Sequence, residues 1–164
     1  MLVHSEQEAM FVACEMESTA VQLYTRALQL LDQLGRKNDP VYPAIEKMLM
    51  EEKGHLFRFR SLYHGLDEAD EQQLSLAAIG EGLLFEGGLL GAARKGLLKD
   101  PESMLQLAIS SERASARKYR EFAAAAETQE ARDALLMIAA EEDGHLLELE
   151  GVAQQRRHAG GENA

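Results

Sequence analysis

The sequence predicts an all-α fold. Apolar residues recur at three- and four-residue steps along most of the chain, which is the period of amphipathic helices. Only three prolines interrupt 164 residues, and no pair of alternating segments indicates a β-hairpin. With 46% apolar and 27% charged residues, the composition is that of one globular domain.

The first two long helices have local start signals. The first helix is predicted to begin at Ser5, whose hydroxyl caps it while Glu8 completes a capping box, and to run to Gly35. The second opens at Asp39-Pro40, a capping acid followed by a residue suited to the first helical position. It is predicted to continue to about Gly65.

Two further helices are predicted in the second half of the chain. One begins at Asp100-Pro101 by the same logic, and the other begins near Thr128. Residues 154–164 are polar and contain glycine, which predicts a disordered tail. The folded domain is therefore expected to span residues 1–153.

The connection between the second and third helices, residues 67–99, differs from the rest. Six of the 13 glycines fall between Gly80 and Gly96, among several leucines. A connection of this length, with one or two short helices, is typical of a four-helix bundle with a long crossover. Such a crossover either covers the bundle or forms a surface for a partner.

Charge and cysteine content exclude several functions. A net charge of -11 repels phosphate backbones and anionic lipids, so neither nucleic acid nor a membrane surface is an expected partner. The single cysteine, Cys14, allows no internal disulfide and no four-cysteine metal site. The N-terminus lacks a secretory pattern, and charges interrupt the most apolar stretch, residues 74–98. A cytoplasmic protein without a membrane span is expected.

An internal repeat is the most informative feature. Helices one and three share a glutamate, a small residue and a tyrosine at the same spacing: Glu17, Ala20 and Tyr24, and Glu112, Ser115 and Tyr119. The six-residue segments 51–56 and 141–146, on helices two and four, are identical at five positions. The repeat predicts two related helix pairs, each with one lone glutamate and one Glu-x-x-His.

These acidic residues and histidines occupy inward positions of otherwise apolar stripes. Chance alone gives about 0.6 Glu-x-x-His pairs in this composition, so their placement carries the inference. A buried, unpaired carboxylate costs several kcal/mol, and four of them require compensation. Two divalent cations would neutralise four carboxylates. The predicted ligands are Glu17, Glu52, His55, Glu112, Glu142 and His145.

Taken one at a time, these residues have simpler interpretations. Helical glutamates are usually solvated, and a lone inward histidine is more often a core residue than a ligand. The repeated set of six favours metal binding. Tyr24 and Tyr119 either hydrogen-bond ligand carboxylates, carry electrons, or are ordinary core residues.

The other residues near the predicted site have less specific roles. Cys14 either lies near the metals or is a small buried hydrophobe. Gly54 and Gly144, which precede the ligand histidines, predict close packing beside the site. The remaining histidines are expected on the surface: His4, His64 and His158.

Glu17, Glu52-x-x-His55, Glu112 and Glu142-x-x-His145 on four helices resemble the ferritin-like di-iron carboxylate superfamily, especially its rubrerythrin-type members. The resemblance covers about residues 5–152 and implies a ferritin-like four-helix bundle. It implies that Glu52 and Glu142 bridge two metals. Glu17 and His55 would complete one site, and Glu112 and His145 the other. Oxygen-rich ligation with one imidazole per metal favours two iron ions per chain, with manganese as the alternative.

The resemblance implies a non-haem di-iron oxidoreductase that reacts ferrous iron with hydrogen peroxide or dioxygen. Such a peroxidase or ferroxidase would serve in oxidative stress and iron handling, here as an expected homodimer. The alternatives are a ferritin-like iron-storage protein, a helical interaction module that the metal stabilises, and a manganese catalase-like enzyme.

The chain departs from related families at three points. Rubrerythrins carry a further glutamate three residues after the helix-three ligand, where this chain has Ser115. They also carry a four-cysteine rubredoxin domain, so this one-cysteine chain needs an external electron donor. Bacterioferritin has a haem-binding methionine directly after the helix-two ligand, and Lys53 at this position predicts no haem.

Overall fold

The computed structural model describes residues 2–161, which form six helices and no strand. The all-α prediction is confirmed. No helix in this range is long and apolar enough to cross a membrane. The helices are α1 Glu6–Gln33, α2 Val41–Leu62, α3 Glu68–Gly80, α4 Gly88–Arg94, α5 Pro101–Phe122 and α6 Gln129–Gly161.

The four long helices pack as two pairs. α1 packs mainly against α2, and α5 against α6, while α2 also contacts α6 and α1 contacts α5. Ion pairs from Lys47 to Glu148 and from Arg58 to Glu130 show that α2 and α6 run antiparallel. The arrangement is a ring of four helices around a shared core.

Local capping fixes where the long helices begin. Ser5 Oγ accepts a hydrogen bond from the Glu8 backbone N–H at 3.2 Å, as predicted. The Glu8 carboxylate, however, accepts from the backbone N–H of His4 instead of completing a capping box with Ser5. At α5, Asp100 and Ser103 form a reciprocal capping box ahead of the helix.

The crossover covers the bundle with two short helices, α3 and α4, which both contact α1. Three of its own residues are buried: Ala78, Ala92 and Leu98. On the other side, the ammonium group of Lys118 on α5 pairs with Glu81 at the end of α3. These contacts attach the crossover to both α1 and α5.

The last helix extends beyond the point where the sequence predicts disorder. α6 continues to Gly161, so residues 154–161 are helical, and residues 162–164 lie outside the described range. The Arg156 guanidinium pairs with Asp39, and its Nε lies 3.5 Å from Glu102 Oε2. This contact with the starts of α2 and α5 gives the polar segment a reason to remain helical.

A buried carboxylate joins the two halves of the chain. Glu6 Oε2 accepts hydrogen bonds from the backbone N–H groups of Glu127 at 2.8 Å and Thr128 at 2.6 Å, and from Thr128 Oγ1 at 3.0 Å. Although burial raises the pKa of Glu6, these donors lower it overall. Glu6 therefore anchors the two residues that precede α6, while Thr128 Oγ1 itself accepts from the Ala131 N–H in the first turn.

Replacing Glu6 by alanine should lower the free energy of unfolding by about 1–3 kcal/mol, because buried backbone donors lose their acceptor. Urea denaturation measures the change. Glu46→Ala, at an exposed position of α2, is the control and should change stability much less. Equal losses in the two variants would contradict this role for Glu6.

Candidate metal centre

All six predicted ligands lie in the core between the four long helices. None is more than 5% exposed, although all six are polar. Their neighbours along each helix are apolar and equally buried, as with Met48 and Phe59 on α2 and Ile138 and Leu149 on α6. The polar residues therefore form one island in the core: Glu17, Glu52, His55, Glu112, Glu142 and His145.

The six side chains form two overlapping groups of four. One group contains Glu17, Glu52, His55 and Glu142, and the other contains Glu52, Glu112, Glu142 and His145. In each group, one ligand atom per residue lies within 4.8 Å of the others. Each group could hold a metal ion, and the two groups share Glu52 and Glu142.

Distances from the histidine Nδ1 atoms define this sharing. His55 Nδ1 lies 3.0 Å from Glu142 Oε1 and 3.7 Å from both Glu52 Oε1 and Glu17 Oε1. His145 Nδ1 lies 3.1 Å from Glu112 Oε2 and 3.3 Å from both Glu52 Oε1 and Glu142 Oε2. Glu52 and Glu142 therefore approach both histidines, and each lone glutamate approaches one.

Several atoms of the first group lack a hydrogen-bond partner. Among residues 2–161, six buried side-chain atoms lack a partner, of which Glu51 Oε2 and Arg156 Nε lie outside the first group. The other four belong to it: Glu17 Oε2, Glu52 Oε1, His55 Nδ1 and Glu142 Oε1. His55 Nδ1 and Glu142 Oε1 are close together but are not aligned for a hydrogen bond. Buried polar atoms are rarely left unpaired without a reason. A cation between them would satisfy all four atoms together.

Two further glutamates hold the outer edges of the imidazoles. Glu141 Oε2 lies 2.8 Å from His55 Nε2, and Glu51 Oε2 lies 2.8 Å from His145 Nε2. Because a carboxylate only accepts, His55 Nε2 donates its hydrogen outward to Glu141. The contact between His145 and Glu51 has an ion-pair distance but is not aligned for a hydrogen bond. In both imidazoles, Nδ1 faces the cluster. Metal-binding histidines commonly have such a carboxylate partner. Sequence reasoning gave these two residues no role, although the repeated Glu-Glu pair was the available signal.

The two tyrosines of the repeat contact the lone glutamates in a crossed pattern. Tyr119 on α5 donates its hydroxyl to Glu17 Oε1 on α1 at 2.6 Å. Tyr24 on α1 donates to Glu112 Oε1 on α5. Burial and the nearby carboxylates raise the pKa of both tyrosines well above the ordinary value. Both hydroxyls therefore remain protonated and orient the carboxylates.

The surrounding acids make the histidines strongly basic. Burial lowers the pKa of His55, but the carboxylates of Glu142, Glu52 and Glu141 raise it overall to about 9. Burial likewise lowers the pKa of His145, and the nearby Glu112, Glu142 and Glu52 raise it to about 12. Without a metal, both imidazoles carry a proton that partly neutralises the acids.

Burial and neighbouring groups also shift the pKa values of the carboxylates. Burial and the charges of Glu52 and Glu142 raise the pKa of Glu17 well above its ordinary value. Burial and Glu112 raise the pKa of Glu142 to about 8. Glu112 differs, because hydrogen bonds from neighbours outweigh burial and lower its pKa. The metal-free cluster therefore retains protons that divalent cations would displace.

The glycines before the histidines do not mark close packing, and that prediction is wrong. A side-chain carbon at Gly54 or Gly144 would meet nothing within 4 Å. Both glycines line an open cleft of about 690 Å³ between α2 and α6, which reaches His55 and His145. Glu141 also lines this cleft. Because the two glycines have no side chains, the cleft remains open toward the imidazoles.

The remaining candidates do not belong to either donor group. Cys14 is buried among apolar residues, and burial raises the pKa of its thiol to about 11, so it is inert. The other three histidines are exposed, as predicted: His4, His64 and His158.

No family model, curated protein or solved structure matches the chain. The buried cluster of carboxylates and imidazoles is therefore the feature from which its chemistry must be inferred. That cluster could hold metal ions.

We expect the free energy of unfolding of the chelator-treated protein to fall as the pH rises from about 6 to 9. A histidine whose folded pKa is raised from 6.5 to about 9 stabilises the folded state below pH 6.5 and loses this contribution through pH 9. Glu142, with its pKa raised from 4.5 to about 8, acts in the same direction, because its ionisation is unfavourable in the fold.

Thermal unfolding at about pH 6 and pH 9 measures the slope of stability against pH. In protein loaded with ferrous iron the slope should be smaller or reversed, because metal binding requires the deprotonated ligands. A metal-free protein that is equally stable at both values would contradict the proton-holding cluster.

Replacing Glu51 or Glu141 by glutamine should weaken metal binding about 10–100-fold, because the imidazole loses its charged partner. Competition with a fluorescent chelator measures the affinity. Glu148→Gln removes the same charge from the same cleft, where Glu148 pairs with Lys47 and not with a histidine. A weakening no larger than that of the control would show that only the charge of the cleft matters.

Proposed function

We propose that this chain is a ferritin-like, rubrerythrin-type di-iron protein that reduces hydrogen peroxide or dioxygen with electrons from two ferrous ions. The observation that carries the proposal is the pair of overlapping donor groups that share Glu52 and Glu142. A mononuclear site would need only one group, and a structural histidine cluster would not need four buried carboxylates. The two bridging residues favour a pair of ions.

The donor set fits iron better than a structural zinc ion. Each group has three carboxylates and one imidazole, whereas structural zinc sites are usually tetrahedral and rich in cysteine. Four carboxylates balance two divalent charges, and two neutral imidazoles add none. This neutrality supports occupation by two divalent cations in a core that otherwise excludes charge.

Two ferrous ions, when bound, would supply one electron each, which matches the two electrons that hydrogen peroxide takes up on reduction to water. The chain's own residues bind the ions, orient the ligands and provide access to the site. Glu17, Glu112 and the shared carboxylates would hold the ions together with the two histidines. Tyr24 and Tyr119 orient the lone glutamates. The cleft between α2 and α6 admits a small oxidant and protons.

The electrons that re-reduce such a centre would come from a separate donor. The only cysteine, Cys14, is buried with a raised pKa, so the chain offers no thiol pair or cysteine cluster as a donor. Ser115 adds no carboxylate beside Glu112, unlike the corresponding residue of rubrerythrins. We therefore propose a fixed pair of metal sites that an external electron donor serves.

Single ligand variants test the two-ion arrangement. Glu52→Ala or Glu142→Ala should abolish binding of both ions, because each removes a donor from both groups. Glu17→Ala and Glu112→Ala should each weaken only one site. Native mass spectrometry after anaerobic ferrous loading counts the ions, with Glu148→Ala as the control. Two ions retained in both bridging variants would overturn the proposal.

A second measurement separates turnover from storage. Ferrous-loaded protein receives a stoichiometric pulse of peroxide, is desalted, and its iron is counted. About two irons per chain would support a di-iron redox protein. Tens of irons per chain would instead favour storage of an iron mineral. No consumption of peroxide, with two ions still bound, would favour a metal that only stabilises the helices.

A further inference from the structure

A second cavity, of about 430 Å³, lies on the opposite side of the helix ring from the cleft at the histidines. Its walls come from α1, from α5 and from the crossover, and no residue of α2 or α6 lines it. It is partly open to solvent, and Gln106 and Ser110 on its rim are exposed. Its volume is large enough for a small organic molecule. The proposed metal chemistry does not use this cavity.

The cavity has one apolar side and one side of hydroxyl groups. Leu83, Phe85 and Leu97 of the crossover face the hydroxyls of Ser110, Ser111 and Ser115 on α5, and Thr19 adds another from α1. These four hydroxyls make no hydrogen bond to any described part of the chain. They are therefore available to a ligand.

The lining of this cavity carries no charge, within the described part of the chain. This is unusual in a protein with a net charge of -11. The cleft on the other side, in contrast, is lined by Lys47, Arg58 and three glutamates. A charged ligand would lose part of its hydration in the second cavity without gaining an opposite charge. The chemistry therefore selects an uncharged molecule.

The crossover is held in place as the outer wall of this cavity. Lys118, 7% exposed, pairs with Glu81, and the neighbouring residues Gly82 and Leu83 line the cavity. Ala92 and Leu98 of the same segment are buried in a core cluster with residues of the long helices. The ion pair between Lys118 and Glu81 joins α5 to the crossover next to two of the crossover residues that line the cavity.

We propose that this cavity is a binding site for a small, uncharged organic molecule with an apolar body and a hydroxyl or carbonyl group. The apolar body lies against the crossover, and the polar group exchanges hydrogen bonds with the serines of α5. The site is distinct from the donor groups, because none of its lining residues is a predicted ligand.

The neutral dye N-phenyl-1-naphthylamine tests the site, with the full chain in both metal-free and metal-loaded forms. We expect a saturable rise in fluorescence with one dye per chain. 1-Decanol should displace the dye at a concentration about tenfold lower than decanoate or decyltrimethylammonium, because burial of either charge is unfavourable.

Two variants locate the bound dye. Ala114 lines the cavity, so Ala114→Phe and the milder Ala114→Leu should fill it and weaken dye binding at least tenfold and about threefold, respectively. Ala124→Phe, at an exposed position beyond α5, is the matched control and should bind as the unaltered chain does. Circular dichroism confirms that each variant is folded.

Three results would each overturn the proposal. One is the absence of saturable binding. Another is equal dye affinity in a folded Ala114 variant and the control, which would place the dye elsewhere. The third is equal displacement by neutral and charged chains. Failure of iron binding in the same samples would leave the dye result unchanged, so the two proposals fail separately.

Discussion

The rest of this structure depends on the burial of four carboxylates in one helical core. Burial alone would make their charge prohibitively costly, and the pKa values of Glu17 and Glu142 rise accordingly. The two imidazoles compensate in part by holding protons of their own. A pair of divalent cations would compensate fully, and this electrical requirement links the sequence repeat, the helix packing and the proposed chemistry.

The two-fold repeat explains how one chain builds such a cluster. Each helix pair supplies a lone glutamate, a glutamate shared by both donor groups and a histidine, and the supporting contacts cross between the pairs. Tyr119 supports Glu17, and Glu141 supports His55, each from the other half of the chain. Neither pair can therefore complete its own site. Correct geometry depends on the docking of α1 against α5 and of α2 against α6.

Much of this arrangement could be predicted because its signals are local. Ser5 and Asp100 mark helix starts through bonds to residues three positions away, and helical periodicity places the six ligands on inward faces. Glu51 and Glu141 were missed because their partners lie on another helix, at a distance that only packing determines. The helical segment after residue 153 was missed for the same reason, since Arg156 meets Asp39 across 117 positions. The glycines beside the histidines were misinterpreted, because a missing side chain can leave open space as well as permit close contact.

The most direct measurement is anomalous X-ray diffraction at the iron absorption edge from crystals grown after anaerobic ferrous loading. We predict two anomalous peaks inside the helix ring, both bordered by Glu52 and Glu142. One peak should lie beside Glu17 and His55, and the other beside Glu112 and His145. A single peak, peaks only on the acidic surface, or an iron-free core in fully loaded protein would contradict a di-metal centre.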